Sequence, residues 1–319
     1  MVSFWNNLPR PFFALAPLAD VTDAAFRSII SEYGKPDVSF TEFTSADGLV
    51  SAGREKLLVN LKYSESERPI VAQLFSANPE KMYEAAKLVA KLGFDGLDIN
   101  MGCPDRSVCK QGAGGALIRK PKLAQEIIRA AKEGVGGLPV SLKTRIGYSK
   151  DELVDWLPAL LETGPAAVTI HARTVKEMSL VSARWQYVAE AVAIRDSLKS
   201  GTLILGNGDA VDLADARQKV KETGADGVML GRAIFGNPWL FAEPAKIPSV
   251  KEKLSVMLEH ARLFEEYFKG TKHFAIMKKH FKAYVSGFDG AKEFRGQLME
   301  AENLVQVEEI VGERLKTLI

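Results

Sequence analysis

The residues best suited to chemistry follow short apolar runs, each near the point where a run ends. Cys103 follows the run in GFDGLDINMGCP, and a thiol where Gly-Cys-Pro turns the chain suits a substrate-facing acid or nucleophile. Lys143 lies near the end of PVSLKTR, where its ammonium needs an anionic partner, either a structural carboxylate or a reduced flavin. His171 ends a third run two residues before Arg173, which favours a site residue over a core histidine. Cys109 has no such setting, and we expect it to pack in the interior.

Two glycine-bearing segments predict a site for a phosphate group. They are GNGD at 206–209 and GVMLGR at 227–232. Glycine exposes backbone N–H groups, Arg232 adds a guanidinium and a helix is expected to start after Asp209, which together form an anion cradle. Glycines that serve only tight turns are the alternative. GAGG at 112–115 does not match the dinucleotide-binding fingerprint, so we expect no Rossmann unit.

A repeating unit positions these residues: a helical segment that ends at glycine, a turn, a short β-branched run and then polar residues. The eight predicted strands lie at 12–17, 38–43, 69–75, within 93–104, at 139–145, within 164–173, at 202–209 and within 224–232. Helical periodicity fills gaps at 79–92, 121–133, 151–163, 185–198 and 211–223. This alternation, with polar residues at nearly every strand end, predicts an α/β fold, a (β/α)8 TIM barrel over residues 1–243, with a doubly wound sheet as the alternative.

The alternation stops at 244, and residues 244–319 show only helical periodicity, which predicts a small C-terminal helical domain. Within it, an apolar face is predicted from Phe274, Met277, Phe281 and Tyr284. Lys278, Lys279 and Lys282 fall mainly on the other side, and no Asp or Glu occurs between Tyr267 and Phe288. With His273 and His280 nearby, we interpret this face as a surface for RNA phosphates, the alternative being a solvated face.

Composition excludes several classes of protein. The 319 residues carry a formal net charge of +2, which excludes a protein coated with positive charge for polyanion binding. The two cysteines exclude a disulfide scaffold and fit a reducing cytoplasm, and since no histidine cluster accompanies them we expect no metal site. Prolines interrupt the apolar start, so we expect no signal peptide, and no apolar run approaches the roughly 20 residues of a membrane span.

Taken in order, the motifs resemble those of the flavin-dependent tRNA-dihydrouridine synthases. The matching segments are LAPLADVTDAAFR (15–27), VAQLF (71–75), GFDGLDINMGCP (93–104), KQGAGGAL (110–117), LKTRIG (142–147), IHART (170–174), GNGD (206–209), GVMLGRAIFGNPWLF (227–241) and KKHFKAYVSGFDGAKEFR (278–295). They run through the whole chain, and the combination is specific although each segment alone is not. One stretch departs from the family pattern: KEMSLVSARW (176–185) lacks the Tyr, Gly and Asp that usually follow IHART.

The resemblance implies an FMN-binding barrel, a helical tRNA-binding domain, and reduction of uridine to dihydrouridine in tRNA with NADPH as hydride donor. It implies that Cys103 is the general acid and that Asn100 and Arg173 hold the uracil. The residues implied to hold FMN, together with Asp209 of the cradle, are Pro17, Gln73, Lys143, His171, Asn207, Gly208, Gly231 and Arg232. No stable protein partner is implied, so we expect a cytoplasmic monomer.

Two other functions compete with this interpretation. A flavoenzyme of the dihydroorotate dehydrogenase type would share the barrel and FMN but act on free pyrimidines, and the basic tail argues against it. An RNA-binding module that has lost its chemistry would explain the altered loop at 176–185. The presence of Cys103 and Lys143 argues against that second alternative.

Overall fold

Eight parallel strands form a nearly closed barrel in the computed structural model, which describes residues 3–316. The eight barrel strands and the additional short β3 are β1 (Phe12–Leu15), β2 (Ser39–Phe40), β3 (Thr44–Ser45), β4 (Ile70–Phe75), β5 (Gly96–Met101), β6 (Val140–Arg145), β7 (Ala167–His171), β8 (Leu203–Asn207) and β9 (Gly227–Leu230). The barrel order is β1-β9-β8-β7-β6-β5-β4-β2, and the short β3 also pairs with β4. A bridge between Ala14 and Val38 brings β1 beside β2. The predicted barrel is confirmed, and the doubly wound sheet is excluded.

Helices surround the barrel and continue beyond it. They are α1 (Ala24–Tyr33), α2 (Ala46–Leu49), α3 (Arg54–Leu58), α4 (Pro79–Lys91), α5 (Arg106–Lys110), α6 (Pro121–Gly134), α7 (Leu153–Leu161), α8 (Gln186–Ser197), α9 (Leu213–Thr223), α10 (Val250–Phe268), α11 (Met277–Tyr284), α12 (Ala291–Glu300) and α13 (Leu304–Lys316). Short 3₁₀ segments lie at Phe4–Asn7, Val59–Leu61, Glu65–Glu67, Gly114–Arg119, Arg232–Ile234 and Phe274–Ile276. None of the helices within residues 3–316 has the length and apolar character needed to cross a membrane.

The sequence explains where the barrel helices stop. Gly93, Gly164 and Gly224 have φ values of 80°, 61° and 71°, a left-handed conformation that glycine adopts without steric cost after a helix. The predicted strand at 38–43 is the element that differs most. It breaks after Phe40, and the following Glu42 instead turns its carboxylate toward the backbone N–H of Asp20.

Polar side chains form layers inside the barrel because residues at alternate positions of a strand share a face. Gln73 of β4 pairs in register with Asp98 of β5, which pairs with Ser141 of β6. The side chain of Ser141 donates to Asp98 across 2.6 Å. The next layer toward the carboxyl ends pairs Asn100 with Lys143. This interior therefore becomes increasingly polar toward the end where the strand-to-helix loops begin.

The C-terminal helices pack against the barrel through α1. Phe26 of α1 stacks on the His260 ring of α10 at 4.7 Å between centroids, and Tyr33 donates to Glu259 across 2.7 Å. One cluster of buried apolar residues includes members of β1, α1, β9 and α10 to α13. The predicted apolar face of α11 is confirmed, because Met277, Phe281 and Tyr284 are buried and Phe274 is partly buried against it. The boundary between residues 243 and 244 stays a prediction.

Candidate active site

A cavity of about 610 Å³ opens at the carboxyl ends of the barrel strands, where TIM-barrel enzymes build their sites. Its wall includes every predicted barrel site residue except Gln73. These residues are Pro17, Asn100, Cys103, Lys143, His171, Arg173, Asn207, Gly208, Asp209, Gly231 and Arg232. They come from loops or strand ends more than 200 positions apart in the chain, so the fold brings them together as the sequence analysis expects.

Cys103 is held by its backbone, which leaves the thiol in the cavity wall. Its N–H donates to Asn100 Oδ1 across 2.9 Å, and its carbonyl accepts from Gly115 N at 3.0 Å and from Cys109 Sγ at 3.4 Å. Burial raises the pKa of the Cys103 thiol, which therefore keeps its proton at neutral pH. Cys109 packs against the core as expected, but it also contacts the Cys103 loop.

The GAGG segment supports this loop, a role that the sequence analysis did not assign. A Cβ on Gly115 would lie 2.6 Å from Val175 Cγ2 and 3.1 Å from the Cys103 carbonyl, so only glycine fits there without displacement. Gly114 has a φ of 56°. The adjacent glycines were the available signal, because glycine permits close approach between backbone segments.

A chain of buried hydrogen bonds extends from the barrel interior to Cys103. Asp98 accepts from Gln73 Nε2 at 2.7 Å, and Gln73 Oε1 accepts from Asn100 Nδ2 at 3.0 Å. Both ends of the Gln73 amide are thus engaged, and Gln73 is fully buried behind Asn100. A direct contact between Gln73 and a cofactor stays a prediction. Asp98 was missed by the sequence analysis, although its position two residues before Asn100 places both on one face of β5.

Lys143 is one of four cationic side chains in the cavity wall. Its Nζ donates to Asn207 Oδ1 across 3.1 Å, and Asn207 Nδ2 donates to the carbonyl of Met229 across 2.8 Å. Burial, together with the nearby Arg145 guanidinium, lowers the pKa of Lys143 to about 8. The ammonium is therefore largely charged at neutral pH, and an anionic ligand would favour that charge further.

Arg173 organises the part of the wall that His171 lines. It donates to His171 Nε2 at 2.9 Å, to Val181 O at 2.6 Å and to Asp209 Oδ2 at 2.5 Å. A guanidinium has no acceptor, so His171 Nε2 must accept, and the neutral ring carries its proton on Nδ1. Burial, helped by the surrounding cations, lowers the pKa of His171 far below its ordinary value, which keeps the ring neutral.

The expected anion cradle lies beside Asp209. In the part of the chain that the structure describes, the backbone N–H groups of Gly208, Asp209, Gly231 and Arg232 donate to no protein acceptor. Gly208 has a φ of 124°, and a Cβ there would lie 2.8 Å from Ala183 Cβ. The Asp209 carboxylate accepts from both Arg173 and Arg232. Asp209 thus pairs with two arginines of the cavity wall, and the four unpaired amides belong to residues that line the cavity.

The predicted RNA-contacting residues lie in α11, away from this cavity. Lys282 is exposed and Lys279 is partly exposed, whereas Lys278 donates to the carbonyl of Met299 at the end of α12. His280 is fully buried, with its ring 4.6 Å from that of His260. The expectation that His280 contacts phosphate is wrong, because its ring belongs to the apolar interface with α1.

The barrel and its rim cavity define an enzyme of the TIM-barrel class, with a partly buried thiol and a cationic wall. Comparisons with known proteins give the family. The chain matches the family described as "Dihydrouridine synthase (Dus)" over residues 14–319. It is 43% identical over 312 residues to a "Probable tRNA-dihydrouridine synthase" of Staphylococcus epidermidis, covering 97% of this chain and 95% of that protein. It is 42% identical over 314 residues to "Probable tRNA-dihydrouridine synthase 2" of Bacillus subtilis, covering 98% and 96%. The chain belongs to the dihydrouridine synthase family.

Solved structures agree on the barrel. Morphinone reductase superposes with a TM-score of 0.55 at 14% identity, covering 77% of this chain and 89% of that one. An old yellow enzyme homologue from Zymomonas mobilis superposes with a TM-score of 0.52 at 12% identity, covering 75% and 90%. At such identities the likeness is one of fold.

Proposed function

We propose that this protein is a tRNA-dihydrouridine synthase that binds FMN and uses NADPH to reduce the C5=C6 bond of uridines in tRNA. The observation that carries the proposal is the convergence of a protonated thiol, a partly buried ammonium and an anion cradle on one cavity, in a chain that belongs to the dihydrouridine synthase family. With tRNA as the proposed substrate, we expect the protein in the cytoplasm. A monomeric state is our expectation.

The residues present fit FMN. A cavity of about 610 Å³ lies in the size range of sites for cofactors. Free amides at Gly208 and Gly231 and the Arg232 guanidinium, whose side chain is 61% exposed, suit one phosphate group. One cradle without a Rossmann unit favours FMN over a dinucleotide. Lys143, Asn207 and the Nδ1–H of His171 would hold the ring system, and bound FMN would supply hydride chemistry.

The protein's own residues would then bind, orient and protonate the uracil. Asn100 uses one Nδ2 hydrogen on Gln73, which leaves the second for a uracil carbonyl at the cavity wall. Arg173 retains N–H groups beyond those that its three partners take, and these would bind a second carbonyl. Cys103 would donate its proton to C5 of the reduced ring. Its raised pKa keeps that proton available, and fixed placement compensates for a weak acid.

We also propose that the two predicted domains have separate functions. Residues 1–243 would form the catalytic domain and residues 244–319 the tRNA-binding domain, with Lys279 and Lys282 toward phosphates. A flavoenzyme for free pyrimidines is disfavoured by the family match that continues through the helical part to residue 319. An RNA-binding module without chemistry is disfavoured because Cys103 and Lys143 both line the cavity.

The test combines a mapping experiment with a matched pair of variants. Dihydrouridine should disappear from specific tRNA positions in cells that lack the protein and return when it is restored. Purified Cys103→Ala should keep flavin and NADPH oxidation but lose uridine reduction by about 10²–10⁴-fold, the range of a positioned acid. Cys109→Ala should lose little, since only a weak S–H contact to the loop is removed. Unchanged tRNA in the deletion strain would refute the function, and equal effects of the two variants would refute the acid.

A further inference from the structure

We infer that Lys272, in the helical part of the chain, is a positioning residue for the active-site cavity, acting through Glu42 on the loop that follows β1. The inference rests on the proposed function only for what the cavity binds. The structural claim is that the helical part supplies a charge, on Lys272, that fixes one wall of the cavity, in addition to its proposed contact with RNA.

A buried ion pair connects the two parts of the chain. Lys272 Nζ lies 2.6 Å from Glu42 Oε2, and their side chains are only 8% and 5% exposed. The Lys272 ammonium also lies 4.9 Å from the centre of the Phe268 ring. A carboxylate so buried is costly unless a cation neutralises it, so Glu42 depends on Lys272.

The second carboxylate oxygen of Glu42 holds the cavity wall. Glu42 Oε1 accepts from the backbone N–H of Asp20 at 2.5 Å. Asp20 has a φ of 55°, a left-handed conformation uncommon outside glycine, so this turn needs support. Of the residues just before it, Pro17, Leu18 and Ala19 all line the cavity.

The ends of this loop are held by bonds from Ala16 N to Leu230 O and from Arg27 Nη1 to Thr22 O, but among the described residues no other hydrogen bond ties positions 17–20 to the rest of the barrel. The hydrogen bonds of residues 17–20 stay inside 16–22, apart from the one from Asp20 to Glu42. Phe43, the neighbour of Glu42, also lines the cavity. The ion pair therefore lies behind two wall segments at once, and a contact made by the helical part sets their position.

Lys272→Met tests this dependence because methionine keeps an unbranched side chain at this position while removing the ammonium, and with it the bond to Glu42 and the contact with the Phe268 ring. We expect faster amide hydrogen exchange in a peptide spanning residues 17–22, weaker FMN binding, and kcat/KM on tRNA lower by about 10- to 100-fold, as for a small misplacement of a site. The double variant Lys272→Met with Glu42→Gln should recover much of the protection, since the introduced amide is neutral yet can still accept from the Asp20 N–H. Lys272→Arg should retain it.

Tyr33→Phe is the matched control. It breaks another polar contact between barrel and helical part, the 2.7 Å bond to Glu259, which touches no cavity residue. It should lower stability without changing exchange at 17–22.

If Lys272→Met leaves the exchange at 17–22 unchanged, or if the double variant exchanges as fast as the single one, the inference is overturned. If Lys272→Met does not fold, the double variant is compared with Lys272→Arg and with wild type. Faster exchange at 17–22 in the double variant than in both of these proteins would then overturn the inference. Exchange needs no cofactor or RNA, so failure of the proposed function leaves this test intact.

Discussion

Replacing His280 with leucine should make the protein resist acid better. His280 and His260 are buried at the junction of α1 with α10 and α11, and none of their ring nitrogens has a hydrogen-bond partner within residues 3–316. Burial lowers the pKa of His280 to about 3 and that of His260 well below its ordinary value, with the neighbouring Lys279 adding to the effect on His280. Protonation therefore requires the junction to open.

The sign and size follow from proton linkage. A histidine in the unfolded chain has a pKa of about 6.5. Below that pH the unfolded chain binds a proton at this histidine that the folded chain does not bind, so the free energy of unfolding falls. Between about pH 7.5 and about pH 5 each buried histidine should cost about 2 kcal/mol, from about 1.4 kcal/mol per pH unit below 6.5. Asp23 and Asp98 act in the opposite sense. Burial raises the pKa of each to about 6, so both stabilise the fold as pH falls through that value.

A difference between variant and wild type isolates His280, because the aspartates contribute equally to both proteins. Urea unfolding of each protein over this pH range gives the free energy of unfolding at every pH. The loss of stability in His280→Leu should be smaller than in wild type by about 2 kcal/mol. His273→Leu, which removes an exposed histidine from the start of the same region, is the control for the loss of a histidine as such. Parallel curves for His280→Leu and wild type would refute the reasoning.

Two further expectations concern the ligands. Arg232→Ala should release most of the flavin, measured by visible absorption after gel filtration, because the cradle loses its exposed guanidinium; retention of full colour would contradict the phosphate assignment. Replacing Lys279 and Lys282 together with alanine should weaken tRNA binding and lower the slope of log affinity against log salt by about 0.7 to 0.9 per lost contact, with flavin content unchanged. Lys278 is left in place because it holds the end of α12. Superimposable salt curves would mean that tRNA is held elsewhere.

The barrel could be predicted because each of its units carries a local signal. Glycine after a helix, a β-branched run and a polar strand end recur together, and parallel topology then forces the polar ends onto one rim. The positions of Cys103, Lys143 and His171 in one cavity follow from that topology alone. The strand predicted at 38–43 is too long, because the Glu42 carboxylate instead accepts hydrogen bonds from the Asp20 backbone and the Lys272 ammonium. Both partners are distant in the sequence, so no local pattern reveals them.

His280 shows where residue type misleads. Met277, His280, Phe281 and Tyr284 follow the spacing i, i+3, i+4 and i+7, which places all four on one helix face. Periodicity alone would therefore have predicted that His280 is buried, whereas the polar character of histidine argued for the surface. Periodicity was the better guide, because a neutral imidazole packs against aromatic rings nearly as an apolar side chain does. Asp98 was missed for the same reason, since a carboxylate inside a barrel is expected only when its hydrogen-bond partners are known.

Net charge explains little about what this protein binds, and local arrangement explains much. A formal charge of +2 over 319 residues predicts no attraction for anions. Yet Lys143, Arg145, Arg173 and Arg232 line a single cavity, where the carboxylate of Asp209 offsets only part of their charge. Cations inside a cavity with low-dielectric walls act more strongly than the same cations on a surface. Because hydrogen bonds to backbone carbonyls already fix Arg145 and Arg173, an anionic ligand would meet charges that need little reorganisation.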